Sequence, residues 1–172
     1  MNQGQAVGVM IAVALLALGL MWIGWRGRQR RSEPLVGLLP QANRAQLTNP
    51  LTGEIDGEYV SSTTAGDWLE RVATADLGYR SRGFVQVFEQ GVLFTRSGAK
   101  DVFIPAQAIS EVQTSPGMAG KFVGKQGLVV ITWTVAAKFE DGTDLDTGFR
   151  TARSADQTVL LEAVSKLVNS QR

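Results

Sequence analysis

Residues 6–25, AVGVMIAVALLALGLMWIGW, contain no charged side chain. As a helix rising 1.5 Å per residue, this run reaches about 30 Å, the thickness of a bilayer's hydrocarbon core. Leu, Val, Ile and Ala fill its middle, and Trp22 and Trp25 stand at one end, where an indole keeps its N–H near water at headgroup level. Arg26, Arg28, Arg30 and Arg31 follow at once. A cleaved export signal has the reverse order, with positive charge before a shorter apolar run and a small-residue cleavage site after it. Residues 1–5 carry no side-chain charge, and WIGWRGR offers no such site. The segment therefore reads as a retained transmembrane anchor. Arginines beside a span stay on the cytoplasmic side, which places the N-terminus outside and the remaining chain inside. The same arginines either set topology alone or also attract anionic lipid headgroups, at about 1 kcal/mol each.

The absence of both Cys and His removes disulfides, thiolate nucleophiles, imidazole bases and the commonest soft-metal ligands. No cofactor or metal is expected. The arginine collar holds four of the 17 basic residues, leaving 13 against 16 acidic ones. A mildly acidic body offers no electrostatic footprint for nucleic acid. Scattered carboxylates without a base or a nucleophile argue against an enzyme.

The chain divides into a tail and span (1–25), a basic juxtamembrane segment and linker (26–52), and one folded domain (53–172). Pro34, Pro40 and Pro50 block a long helix or central strand in the linker. Leu35, Leu38 and Leu39 could dock on the body or the bilayer. In the domain, GEYVSST (57–63) reads as a strand. Residues 65–83 read as a long connection with one helical turn around Trp68, Leu69 and Val72. FVQVFEQGVLFTR (84–96) reads as a hairpin about Gln90-Gly91. A strand broken at Pro105 and a glycine-rich loop (116–127) follow. In LVVITWTVAAKF, Val129, Ile131, Trp133 and Val135 alternate with Thr132 and Thr134, and after a turn at 140–143 residues 144–152 return as partner. Ser154 and Gln157 have capping-box spacing, Asp156 suits a helix N-terminus, and Leu160, Val164, Leu167 and Val168 form an apolar stripe.

Several apparent sites dissolve on spacing. Lys121 and Lys125 sit in GMAGKFVGKQG, which lacks both the glycine register and the Ser/Thr of a phosphate loop. Glu140, Asp141, Asp144 and Asp146 lack the order of a calcium loop and read as a solvated turn. Ser97 and Lys100 flank a turn without an oxyanion-hole signature. Trp68 and Tyr79 are assigned to the core, where large aromatics dominate burial. Exposed beside Arg80 and Arg82, they would mark an interaction surface.

The hairpin FVQVFEQGVLFTR, the strand FIPAQAISEV, the pair GLVVITWTV and TDLDTGF, and the closing helix together resemble the pleckstrin-homology (PH) superfold of bacterial PH-like domains. With the preceding span, the chain is similar to small single-pass actinobacterial membrane proteins that carry one such domain. The resemblance implies one N-terminal transmembrane α-helix plus a mainly-β PH-like barrel or split sandwich closed by a C-terminal α-helix. It implies a protein-interaction adaptor or accessory subunit of a membrane complex, such as one linked to transport. Its partners would be membrane lipids and an unidentified membrane or cytoplasmic protein. The alternative is direct binding of anionic lipid headgroups through Arg80, Arg82, Lys121 and Lys125. YRSRG (79–83) corresponds to part of the basic K-x-n-R-x-R pattern of phosphoinositide-binding members, with the preceding lysine missing.

Overall fold

The computed structural model describes residues 3–32, 39–72, 74–118, 121–122, 127–136 and 142–170. The first element is α1 (Gln3–Ser32), which continues as helix through all four arginines of the collar. Among the described residues, no helix is long and apolar enough to cross a membrane. The expected span is thus not established by the fold. What α1 does show is a surface apolar on every side, with Met10, Leu15, Leu16, Leu18, Met21 and Trp22 all exposed.

The body is mainly β. Its strands are β1 (Ile55–Thr64), β2 (Asp67–Arg71), β3 (Ser81–Phe88), β4 (Gly91–Arg96), β5 (Val102–Pro105), β6 (Ile109–Ser115), β7 (Gly117–Met118), β8 (Lys121–Phe122), β9 (Leu128–Val135) and β10 (Thr143–Thr151). Helix α2 (Ser154–Asn169) closes the chain. Seven strands run in the order β5-β4-β3-β1-β10-β9-β6, with β2 paired to β1 off this path. Every pairing is antiparallel. The long β1 lies centrally, bonded to β3 through residues 55–59 and to β10 through residues 57–64. A bulge between Tyr59 and Ser61 bends it where its partners change.

The two edge strands β5 and β6 are consecutive in the chain, joined only by a short 3-10 turn, Ala106–Ala108. Three residues span about 10 Å, so the sheet must curl until its edges lie close together. Pro105 ends β5 because it lacks the N–H that would extend the ladder. Into the trough face Tyr59, Phe94, Trp133, Leu145 and Phe149, all fully buried. The alternation of β9 holds: Val129, Ile131, Trp133 and Val135 are buried in this cluster. Leu128 and Val130 of the same strand join Val60 and Met118 in a second, smaller cluster. There Met118 lies over Gly148, where an added Cβ would come within 2.7 Å of its sulfur. Part of the expected glycine-rich loop is therefore the β7–β8 hairpin, which supplies a hydrophobic lid.

Helix α2 caps the trough with Leu160, Ala163, Val164 and Leu167, and Val168 packs at its edge. The stripe is as expected; the capping box is not. Arg153 is the N-cap residue and makes no side-chain cap bond, while Ser154 already lies inside the helix. Gln157 is engaged elsewhere, its amide donating to the Gly127 carbonyl at 3.0 Å.

The connection after β1 also differs from expectation. Residues 67–71 form β2, not a helical turn, because Gly66 at φ 81° reverses the chain and returns it to β1. The Val72 N–H then reaches the Ser62 carbonyl at 3.0 Å. The end of the proline-bearing segment is fixed to the domain. Leu39 packs against the main core. The Thr52 hydroxyl accepts from the Val87 N–H at 3.1 Å, and the Leu51 N–H donates to the Val87 carbonyl at 2.8 Å. Leu35 and Leu38 lie outside the described residues.

Candidate functional site

The outer face of the sheet carries the most concentrated chemistry. Register sets Glu58 on β1 opposite Arg82 on β3 and, on its other side, opposite Arg150 on β10. Residues directly opposite share a face, and adjacent strands lie about 4.8 Å apart, so the two arginines flank the acid in one row about 10 Å across. Arg80 reaches back and donates from Nη2 to Glu58 Oε2, and this bond holds its guanidinium pKa above the ordinary value. Neither Arg82 nor Arg150 has an ion-pair partner among the described residues. These side chains, with Asp56 and the backbone of Gly57 and Thr151, line an open depression of about 500 Å³.

A second row lies two residues along. Phe84 stands opposite Asp56 on one side and Thr95 on the other. It is 43% exposed, a large aromatic on a solvent face between polar neighbours. Arg44 Nη2 donates to Thr95 Oγ1 at 3.0 Å and to Asp101 Oδ2 at 2.7 Å, which ties the segment before β1 across β4. Tyr79, expected in the core, is 57% exposed. It ends the turn after Leu77, and Leu77 fills the interior position there instead. The side chain of Trp68, on β2, lies outside the described residues.

Under this surface runs a buried polar chain. Trp133 Nε1 donates to Thr147 Oγ1 at 2.9 Å, Thr147 Oγ1 pairs with Ser62 Oγ at 2.7 Å, and Ser62 Oγ pairs with the Tyr59 hydroxyl at 2.6 Å. Tyr59 also donates to the Leu77 carbonyl at 3.1 Å. Burial pushes the Tyr59 phenol up to about 12. The guanidinium of Arg96 lies over its ring, donating from Nε to the Lys100 carbonyl at 2.6 Å and from Nη1 to the Asp76 carbonyl at 2.9 Å. Burial lowers the Arg96 pKa, partly offset by Tyr59, Asp76 and Asp101. This network holds residues 74–77 against the core and so fixes where Tyr79 and Arg80 emerge. Ala75 and Asp76 both take positive φ, a conformation that costs free energy in an L-residue and persists only where neighbours impose it.

The remaining candidates separate. Trp22 is exposed on α1. Trp25, Arg26, Arg28, Arg30 and Arg31 belong to the same helix, with side chains outside the described residues. The same holds for the side chain of Lys121 on β8, while Lys125 falls outside the described residues entirely, as do Glu140 and Asp141. Asp144 Oδ1 accepts from the Thr134 hydroxyl at 2.6 Å, and Asp146 Oδ1 from the Thr132 hydroxyl at 2.7 Å, so both acids brace neighbouring strands. Among the described residues, no group of three or more acidic, His or Cys side chains is placed to hold a metal. Ser97 and Lys100 flank the β4–β5 turn, where the Ser97 N–H donates to the Arg82 carbonyl at 2.8 Å. Sequence reading picked out Arg80 and Arg82 but missed Glu58, Phe84 and Arg150. Only strand register brings those residues together.

A curled antiparallel sheet with a long shared strand, closed by one C-terminal helix, carries this charged outer face. The chain belongs to the family described as Bacterial PH domain-like, whose model matches residues 36–165. A search of curated proteins returned no match. Membership supports a module for protein or lipid interaction at the general level.

Proposed function

We propose that this protein is a non-enzymatic, single-pass membrane protein of the actinobacterial kind, presenting its PH-like domain at the cytoplasmic surface as an adaptor or accessory subunit of a membrane complex. The observation that carries this reading is α1, whose large apolar side chains are exposed around its circumference. A helix with such a surface requires an apolar environment, and the uncharged run at 6–25 matches a bilayer in length. Trp22 and Trp25 would sit at the headgroups, and Arg26, Arg28, Arg30 and Arg31 would keep the domain inside.

The domain's contribution is its outer sheet face. Alternating charge, Arg82–Glu58–Arg150, beside exposed Phe84 suits a protein surface of matching alternation. Direct binding of anionic lipid headgroups is the weaker reading, because Glu58 and Asp56 stand among the arginines and repel a phosphate. A photoreactive residue in place of Phe84 in the full chain, activated in native membranes, tests this. Specific protein adducts absent from the same substitution at Gly53 support the adaptor. Adducts with lipid alone contradict it.

A further inference from the structure

The domain carries a second surface whose features mirror the first. A groove of about 620 Å³ lies between α2 and the residues entering β1. Ala163 and Leu167 form its floor, with Leu51 (46% exposed) and Val159 (49% exposed) at its sides. Its rim holds Glu89, Glu162 and Lys166. The Glu89 carboxylate accepts from the Asn49 amide at 3.1 Å, a neutral donor that leaves its charge in place. Glu162 has no ion-pair partner among the described residues.

The outer sheet face offers the converse set. Phe84 is an aromatic knob; Arg82 and Arg150, without an ion-pair partner among the described residues, flank Glu58, which Arg80 neutralises; and Asp56 is an acid beside the knob. Knob answers apolar groove, two cations answer two carboxylates, and one carboxylate answers Lys166. The two surfaces share no residue, so one copy can use both at once.

We propose that the occupant of the α2 groove is a second copy of this chain, which inserts Phe84 over Leu167 and sets Arg82 and Arg150 against Glu162 and Glu89. Such a contact is heterologous: the surfaces differ, so it propagates into a ring or a filament rather than stopping at a two-fold dimer. Copies held at one surface meet at high effective concentration, which lets a modest contact assemble. The inference rests on the reading of the outer face as a membrane-confined protein-binding surface and names a second copy of this chain as the protein it meets; failure of the 84–159 contact leaves that reading standing with a different partner.

The chain has no cysteine, which makes the test direct. Full-length F84C and V159C variants are tagged differently, mixed in phosphatidylcholine vesicles and oxidised. The head-to-tail contact gives mixed 84–159 disulfides several-fold in excess of 84–84 disulfides. Adding R82E to the F84C copy reduces the mixed product at least five-fold, and E162R in the V159C copy restores it. Thermal melts of each variant confirm that the domain remains folded. With equal amounts of the two copies, random encounter gives 84–159 and 84–84 disulfides at two to one, so a ratio of two or below indicates pairing through α1 or a two-fold contact and overturns the proposal. So does a loss with R82E that E162R leaves unrepaired.

Discussion

The guanidinium of Arg96 lies 4.5 Å from the centroid of the Tyr59 ring, in a position only 6% exposed. Cation and ring form a joint between β4, β1 and the turn at 74–77, with two backbone carbonyls completing the hold. Replacing Arg96 by Met keeps the stem but frees both carbonyls, and we expect a loss of about 2–4 kcal/mol in a thermal or urea melt. Arg96→Lys recovers little of it, because one ammonium lacks the planar fork that serves two carbonyls and the ring together.

Tyr59 ties stability to alkaline pH. Its folded pKa, about 12, lies above the unfolded value of 10, so the folded state holds the proton more tightly. The resulting stabilisation is fully present below pH 10 and is lost as pH rises through 12. The midpoint of urea unfolding falls across that window, and in Tyr59→Phe this component of the fall disappears. The same variant is less stable at neutral pH by about 1–2 kcal/mol, because Ser62 and the Leu77 carbonyl lose a partner.

Gly83 and Gly53 give opposite outcomes. A Cβ at Gly83 would stand 1.9 Å from the Thr95 carbonyl oxygen, inside the β3–β4 ladder, whereas one at Gly53 meets nothing within 4 Å. Gly83→Ala forces the strands apart and costs several kcal/mol. Gly53→Ala shifts stability by less than about 1 kcal/mol. Melting temperatures of the two variants, measured side by side, check the close strand approach.

The segment before β1 is held by two unequal ties. Thr52 is buried and supplies the acceptor for the Val87 N–H, so Thr52→Val leaves that donor unmet at a cost of about 1–3 kcal/mol. Arg44 pairs with Asp101 in the open, so Arg44→Ala costs about 1 kcal/mol or less, and the loss shrinks in high salt. Denaturant titrations at low and high salt separate the two.

Local patterns carried most of the fold into the sequence. Strand β9 was legible from the alternation of Val129, Ile131, Trp133 and Val135, and α2 from its stripe of Leu160, Val164 and Leu167. What failed depended on distant partners. Residues 67–71 become a strand through bonds to β1, which no local propensity encodes. Gln157 abandons its cap for a carbonyl 30 residues away. Tyr79 looked like a core residue from its type, yet Leu77 two positions earlier takes the interior site. The outer-face row was half visible. Arg80 and Arg82 are neighbours in sequence, but Arg150 joins them only because β1 bridges β3 and β10.

The central claim is that α1 resides in a bilayer and confines the PH-like domain to its surface. Washing isolated membranes with alkaline carbonate strips peripheral proteins and leaves inserted ones. The account predicts that the full-length chain stays in the pellet, and that Leu15→Lys with Leu18→Lys moves it to the supernatant. Full-length protein released by the wash as completely as the doubly substituted chain would contradict it.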